Sequence, residues 1–277
     1  MDPPVPLPDD IREIVRRALA EDIGAGDLTA RLIGRSTSAL ASVICREEAI
    51  LCGRAWFDEV YRQLDGAIGI EWRTADGGEI AAGQVICNLH GPARPLLTGE
   101  RTALNFLQTL SGTATLTRGY VRLIKGYKTV LLDTRKTIPG LRSAQKYAVV
   151  CGGAQNHRMG LYDAILIKEN HIRAAGSIIS ALSDAKKQNV PVEIEVENLA
   201  DLEQALAGGA NTILLDNFTL DDLYRAVKIN GGRAKLEVSG NVNKENLRAI
   251  AATGVDFISI GALTKHVRAV DFSMRFT

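Results

Sequence analysis

The sequence of 277 residues is poor in the features that mark several specialised classes of protein. It has only four cysteines and four histidines, with no C-x-x-C pair and no histidine cluster that completes a zinc pattern. The formal net charge of +1 gives no support for a protein that coats nucleic acid. No apolar run approaches the roughly 18 residues that a membrane-spanning helix needs. The beginning, MDPPVPLPDD, is rich in proline and acidic, unlike a secretory leader. We therefore expect a soluble, cytoplasmic protein with reduced thiols and with neither a nucleic-acid nor a membrane partner.

Positive charge is concentrated in one segment, although the whole chain is almost neutral. The stretch DTRKTIPGLRSAQK (133–146) follows the apolar run 129–132. From 133 to 168 there are six basic and two acidic residues. An imbalance of this size fits one binding site better than a whole basic surface, so it indicates a small anionic ligand.

From residue 129 onward, short β-branched and aliphatic runs alternate with helical patterns. This alternation predicts a parallel sheet, either doubly wound or closed toward a barrel. The carboxyl ends of its strands should meet at one mouth, where function usually lies. The predicted strands are 129–136, 164–170, 192–198, 212–217, 235–241 and 257–262. The polar residues and glycine at their ends are Asp133, Arg135, Lys136, Lys168, Glu195, Glu197, Asp216, Ser239 and Gly261. The alternative is that some of them are ordinary strand-end and helix-cap residues.

The part before residue 115 has a different pattern and predicts a separate α+β domain. An amphipathic helix is expected near 8–20, and alternating strands within 41–53 and 69–91. A long helix over 94–117 follows, with a polar stripe that either faces solvent or faces a site. This stripe consists of Arg101, Asn105, Gln108 and Gly112.

The polar strand ends offer two kinds of chemistry. Arginine and lysine there could bind carboxylates or phosphates. Glu195 and Asp216 could hold a magnesium pyrophosphate or accept hydrogen bonds from ribose hydroxyls. The segments SGN (239–241) and IGA (260–262) could bring backbone N–H groups to a phosphate. A phosphosugar and a second anionic substrate therefore fit the site. An ion pair of Lys168 with Glu169 or Glu195 is the alternative for that lysine, and it is compatible with a substrate role.

Several blocks, taken in order, resemble the quinolinate phosphoribosyltransferases, also called nicotinate-nucleotide pyrophosphorylases (carboxylating). They are EDIGAGDLT, GERTALNFLQTLSGTAT, DTRKTIPGLR, KYAVVCGGAQNHRMGLYDAILIKENH, EVEN, LLDN and SIGAL, and they extend over nearly the whole chain. The resemblance implies an α/β sandwich domain at 1–112, completed by 266–277. It also implies an incomplete (β/α) barrel of six to seven strands at 113–265.

The resemblance also implies an activity and partners. The reaction joins quinolinate to phosphoribosyl pyrophosphate with Mg²⁺, and it releases nicotinate mononucleotide, carbon dioxide and pyrophosphate in NAD synthesis. The expected assembly is a homodimer, or a higher oligomer built from it, in which Arg101 acts on the partner's site. Of the other functions considered, a non-decarboxylating nicotinate enzyme would need to bind only one carboxylate. A non-catalytic oxyanion-binding relative is disfavoured by the set Arg101, Arg135, Arg158, Lys168, Glu195 and Asp216.

Site roles implied by the resemblance fall into three groups. The pocket for the two quinolinate carboxylates comprises Thr134, Arg135, Lys136, His157, Arg158 and Lys168. The acidic residues near the ribose and magnesium, which act directly or only through pyrophosphate, are Glu195 and Asp216. The phosphate loops are Ser239, Gly240 and Asn241, where many members have glycine in place of this asparagine, and Ile260, Gly261 and Ala262. The expected catalytic set is Lys136, His157, Lys168, Glu195 and Asp216. The proton donor after decarboxylation stays open between Lys136, Lys168, His157 and water.

Four further residues have no such role in this interpretation. We expect Arg142 and Lys146, on the turn and helix after the first of the strands, to face solvent or to form ion pairs. We expect His90 and His171 to be structural.

Overall fold

A computed structural model describes residues 6–276, and their contacts divide into two compact units. One comprises the described residues up to 118 together with residues 137–153 and those from 262 onward. The other comprises residues 119–136 and 154–261. These units differ from the predicted division at 112 and 265, because the segment 137–153 belongs with the N-terminal elements although it lies between two barrel strands in sequence.

The described residues form twelve strands and ten α-helices. The strands are β1 (Ser38–Cys45), β2 (Ala49–Ile50), β3 (Gly69–Trp72), β4 (Glu79–Ile80), β5 (Val85–Pro92), β6 (Val130–Leu132), β7 (Ile165–Ile167), β8 (Val192–Val196), β9 (Thr212–Asp216), β10 (Lys235–Ser239), β11 (Phe257–Ser259) and β12 (Phe272–Phe276). The helices are α1 (Ile11–Ile23), α2 (Arg54–Leu64), α3 (Ala93–Leu123), α4 (Arg142–Cys151), α5 (Glu169–Ala175), α6 (Ile178–Lys186), α7 (Leu199–Ala207), α8 (Leu220–Asn230), α9 (Leu247–Ala252) and α10 (Ala262–Lys265).

The first unit is built on an antiparallel sheet of order β12-β1-β5-β3. The last strand pairs with β1 from Ala41 with Phe276 to Cys45 with Phe272. Helix α2 buries one face, which consists of Trp56, Phe57, Val60 and Tyr61. The spacing of these four residues places them on adjacent turns, and their aromatic rings supply much of the apolar area of this core.

The predicted polar stripe on α3 does not face a single environment. Arg101 and Asn105 are exposed, whereas Gly112 is buried. A Cβ at Gly112 would lie 2.2 Å from the carbonyl oxygen of Arg268, so the close approach of that backbone requires glycine. The helix also continues to Leu123, beyond the predicted end at 117.

The second unit is the predicted incomplete barrel. Its six strands are all parallel, in the order β6-β11-β10-β9-β8-β7. All six predicted strands are confirmed, but each ends one to four residues before the end of the predicted run. Gln155 adds an isolated parallel bridge to Leu132 at the outer side of β6. The strands therefore present one row of carboxyl ends, as the sequence predicts.

Side-chain caps fix where several barrel helices begin. The Thr219 side chain accepts a hydrogen bond from the backbone N–H of Asp222, the bond that the local pattern T-x-x-D is typical of. Asn198 caps α7 through the N–H of Asp201 in the same way. Each helix starts a few residues after a strand, so the polar strand ends lie in short, defined loops. Within the described range, none of the helices combines the length and the apolarity that crossing a bilayer demands.

Candidate active site

Lys168 and Glu195 form an ion pair across the ends of two adjacent strands. Lys168 follows β7 directly, and its Nζ lies 2.6 Å from Oε2 of Glu195 on β8. The Lys168 side chain is 44% exposed and that of Glu195 is 11% exposed. His171 accepts a hydrogen bond at Nδ1 from the backbone N–H of Lys168, a structural role at the start of α5. Glu197 is exposed beyond the strand.

Asp216 and Ser239 are paired at the ends of β9 and β10. The Ser239 hydroxyl donates to Oδ1 of Asp216 at 2.7 Å, and the Asn217 side-chain amide donates to Oδ2 at 2.7 Å. These bonds hold the carboxylate in one orientation, although Asp216 is partly accessible. Alternate residues of a strand share a face, so β9 presents Asp216 and β10 presents Ser239 on one face only.

The loop after β10 makes a tight turn that requires glycine. Gly240 has φ +87°, and a Cβ there would lie 2.2 Å from Oδ1 of Asn217. Asn241 has φ +50° and donates its side-chain amide to the same oxygen at 3.2 Å. Asparagine tolerates this left-handed conformation better than most residues, which accounts for its presence after Gly240.

The end of β11 lies against the segment that follows β6. A Cβ on Gly261 would lie 2.9 Å from Cδ of Lys136 and 3.6 Å from the hydroxyl of Thr134. Ile260 donates its backbone N–H to the Leu132 carbonyl at 2.9 Å. Glycine at this position therefore lets the Thr134–Lys136 segment come close. Ala262 begins α10 and belongs to the first compact unit, as does the exposed Arg101.

Asp133 is fully buried and organises the backbone beside the basic residues. Its carboxylate accepts a bond from the Asn156 side-chain amide at 2.6 Å and one from the backbone N–H of His157 at 2.9 Å. The interpretation of Asp133 as a polar residue of the mouth is therefore incomplete, because its carboxylate joins β6 to the 156–157 loop.

Arg135 and Arg158 lie close enough to repel each other. Burial, and next the positive charge of Arg135, lower the pKa of Arg158. Arg158 donates from Nη1 to the Ala164 carbonyl at 3.2 Å, and Nε of Arg135 is buried without a hydrogen-bond partner among the described residues. Two guanidinium groups held together in this way favour a ligand with at least one negative charge.

The last two cations of the stretch 133–146 differ from expectation in one respect. Arg142 donates from Nε to the Thr137 hydroxyl at 3.1 Å. Lys146 is only 1% exposed, so of the two expected roles, facing solvent or forming an ion pair, the first is wrong. Its position on α4 places it in the first unit, and its long aliphatic stem is buried with that helix.

Two buried glutamates were not predicted as part of the site. Oε2 of Glu193 lies 2.9 Å from Nε2 of His157, and Oε2 of Glu237 lies 3.5 Å from the same nitrogen. Burial, and next the charge of Glu193, raise the pKa of Glu237 to about 8. For Glu237, the sequence offered one signal of a functional or paired residue. This glutamate lies in the middle of the otherwise apolar strand run LEV, where an isolated charge is costly.

Family models and solved structures show what the whole chain is similar to. The family models described as "Quinolinate phosphoribosyl transferase" match residues 27–111 (N-terminal domain) and 113–275 (C-terminal domain). A solved nicotinate-nucleotide pyrophosphorylase from Francisella tularensis is 53% identical, with a TM-score of 0.96 and full coverage of both chains.

Curated relatives point to the same family. A probable nicotinate-nucleotide pyrophosphorylase (carboxylating) from Bacillus subtilis is 42% identical, over 96% of this chain and 93% of the relative. The corresponding protein from Mycobacterium leprae is 40% identical, over 96% and 97%. With both family models matched and these identities over nearly full length, the chain belongs to the quinolinate phosphoribosyltransferase family.

Proposed function

We propose that this chain transfers the phosphoribosyl group of phosphoribosyl pyrophosphate to quinolinate, with loss of carbon dioxide. The products are nicotinate mononucleotide and pyrophosphate, and the reaction is a step of NAD biosynthesis. The observation that carries the proposal is that Arg135 lies near enough to Arg158 to affect its charge, beside strand ends that also supply Lys136 and Lys168. A nearly neutral chain that gathers these cations in one place is suited to a small polyanion.

The basic residues account for recognition of a dicarboxylate. Each guanidinium can bind one carboxylate through two parallel hydrogen bonds, whereas the lysines act as point charges. A second carboxylate doubles the negative charge of the ligand. The bound ligand therefore offsets more of the repulsion between Arg135 and Arg158. A substrate with one carboxylate would leave part of this repulsion uncompensated.

The bond changes need orientation more than a protein nucleophile. The bond between the ribose anomeric carbon and pyrophosphate breaks, and the quinolinate ring nitrogen forms a bond to that carbon. The carboxylate next to the nitrogen then leaves as carbon dioxide, and the pyridinium stabilises the electron pair until a proton replaces it. Holding both substrates in register supplies a large part of the rate enhancement.

Glu195 and Asp216 are suited to the ribose and to a hydrated magnesium ion. Carboxylate oxygens are the ligands that Mg²⁺ prefers, and the ion usually keeps several waters. Bound magnesium would offset the charge of the departing pyrophosphate. Because Glu195 already bonds Lys168 and Asp216 already bonds Ser239 and Asn217, we expect contact mainly through water and pyrophosphate oxygens.

A homodimer with Arg101 acting on the partner's site is part of the proposal. Support comes from the exposure of Arg101 on α3 and from the family resemblance of the segment 99–115. A cytoplasmic location is proposed as well, since all four cysteines are buried free thiols and a reducing compartment keeps them so.

A direct assay tests the function. The purified chain is incubated with phosphoribosyl pyrophosphate, Mg²⁺ and either quinolinate or nicotinate. We expect quinolinate consumption with equal amounts of carbon dioxide and nicotinate mononucleotide, and no comparable turnover of nicotinate. Turnover of nicotinate alone would replace the proposal with the non-decarboxylating activity, and a chain that binds both anions without turnover would identify a binding protein.

A further inference from the structure

A buried polar cluster lies in the barrel interior, and the chemistry above does not use it. We call His157, Glu193 and Glu237 the interior cluster. Glu237 is 1% exposed and Glu193 is 8% exposed, so both carboxyls are removed from solvent. An acidic pair this deeply buried is costly unless each member has a defined partner.

The strand pattern places each glutamate one step deeper than a site residue. Glu193 precedes Glu195 by two residues on β8, and Glu237 precedes Ser239 by two on β10. Residues two apart on a strand share a face, so the glutamates belong to the same inner face as the mouth residues. The interior cluster therefore lies beneath the site, and His157 joins the two levels.

The hydrogen bonds of His157 favour one tautomer. The backbone N–H of Arg158 donates to Nδ1 at 2.8 Å, which favours the tautomer with a lone pair on Nδ1 and the ring proton on Nε2. Nε2 then donates to Glu193 at 2.9 Å. Both ring nitrogens are engaged, and Nε2 is directed at buried carboxyls. It is poorly placed to bind a substrate carboxylate or to donate the proton after decarboxylation.

The single Nε2–H of His157 cannot satisfy the hydrogen-bonding capacity of both glutamates. Glu193 and Glu237 both approach the single Nε2–H, and their Oε1 atoms have no hydrogen-bond partner in the described range. Two carboxylates this close cannot both be ionised without strong repulsion. The raised pKa of Glu237, caused by burial and then by Glu193, agrees with a proton held on that residue at neutral pH.

The same histidine controls the position of Arg158. Its backbone N–H bonds Asp133 at 2.9 Å, and its ring accepts the N–H of the next residue, Arg158. A rotation of the ring would break both the Glu193 bond and the Arg158 bond at once. The orientation of the Arg158 backbone thus depends on the carboxyl groups that bind Nε2 of His157.

We propose that Glu193 and Glu237 are positioning residues that hold the His157 ring through their contacts with Nε2 and so fix the Arg158 guanidinium for one carboxylate of the dianionic substrate. The inference rests on the proposed function for its substrate. We therefore expect the two glutamates to affect the binding of quinolinate and not that of the phosphosugar, because the phosphosugar is proposed to contact other strand ends. This role of the glutamates also removes His157 from the candidate proton donors.

Two substitutions at one position separate this role from bulk stability. In Glu237→Gln the amide keeps the shape of the side chain and can donate a hydrogen bond to Glu193, so we expect KM and kcat within about threefold of wild type. Glu237→Leu removes the donor, and we expect KM for quinolinate to rise about tenfold or more. KM for phosphoribosyl pyrophosphate should change by less than about twofold. The matched control is Asn230→Leu, which deletes a buried polar side chain that bonds only Ala234 in the loop before β10.

A spectroscopic readout tests the cluster without substrate. In protein with ¹⁵N-labelled histidine, we expect His157 as the neutral Nε2–H tautomer, assigned by the signal that disappears in His157→Gln. The tautomer should persist in Glu237→Gln and be lost or mixed in Glu237→Leu. Because no turnover is needed, this result stands even if the chain fails to use quinolinate, and the two failures are distinguishable.

Three results would overturn the inference. One is a quinolinate KM within twofold of wild type in Glu237→Leu, and another is an equal rise of both KM values as in a general loss of structure. The third is one tightly held divalent ion per chain in metal analysis of the purified protein, absent in Glu237→Leu. That result would make the interior cluster a metal site, since its three ligand atoms lie within 4.8 Å of one another.

Discussion

Oε2 of Glu195 accepts a hydrogen bond of 2.6 Å from Nζ of Lys168, and this bond joins the ends of β8 and β7. Glu195 is nearly buried while almost half of the Lys168 side chain reaches solvent. An ion pair with one partner so exposed contributes little to stability, about 1 kcal/mol or less. We therefore expect the lysine to act on a ligand that approaches from solvent, with the glutamate orienting its ammonium group.

Replacement of Lys168 by alanine should abolish most activity while the fold survives. We expect kcat/KM for quinolinate to fall by about 10²-fold or more, because a charge aimed at a substrate carboxylate is lost. The free energy of unfolding in urea should change by less than about 1 kcal/mol. Lys187→Ala is the control, since Lys187 forms a comparable 2.6 Å pair with Asp184 on the surface. Equal activity of the two variants would remove Lys168 from the site.

Replacement of Gly240 by alanine should damage the phosphate loop specifically. The new Cβ would meet Oδ1 of Asn217 at 2.2 Å, so the loop must move. We expect KM for phosphoribosyl pyrophosphate to rise about tenfold or more, measured at saturating quinolinate. Gly176→Ala is a close match, because Gly176 has φ +84° with nothing within 4 Å of its Cβ. That control should lose about 1 kcal/mol of stability and keep its kinetics.

The sequence predicts most of the barrel but little of what supports the site. Six strands and the cap at Thr219 follow from local patterns, since hydrophobic alternation and capping depend on neighbours in the chain. The bonds from His157 to Glu193 and Glu237 join residues 36 and 80 positions apart in sequence, so no local pattern encodes them. The burial of Lys146 was missed for a related reason. Its helix belongs to the compact unit of the N-terminal elements, although it follows a barrel strand in sequence.

Mixed dimers should reveal whether Arg101 acts on a neighbouring site. Arg101→Ala and Lys168→Ala are each expected to be nearly inactive alone. If subunits exchange, a mixed dimer has one intact site, so we expect up to about a quarter of wild-type activity in an equal mixture. Subunit exchange is followed with two affinity tags. Complete exchange without recovered activity would place Arg101 in the site of its own chain or outside any site.

Replacement of Glu237 by glutamine should change how stability depends on pH. Folded Glu237 keeps its proton up to about pH 8, whereas the unfolded chain releases it near the ordinary pKa of 4.5. The folded state therefore binds more protons over this range, and the free energy of unfolding falls as pH rises from about 4.5 to 8. His157, Glu193 and Ser259 are the polar groups that face Glu237.

Glutamine does not titrate, so Glu237→Gln should lose this decline and gain stability relative to wild type as pH rises. The relative gain should not exceed about 1.4 kcal/mol per pH unit. Urea unfolding at pH 5.5, 6.5 and 7.5 measures it, with Glu203→Gln on the exposed face of α7 as a control that leaves the difference flat. A pH-independent difference for Glu237→Gln would mean that Glu237 is ionised in the folded protein, which would contradict the raised pKa of its carboxyl.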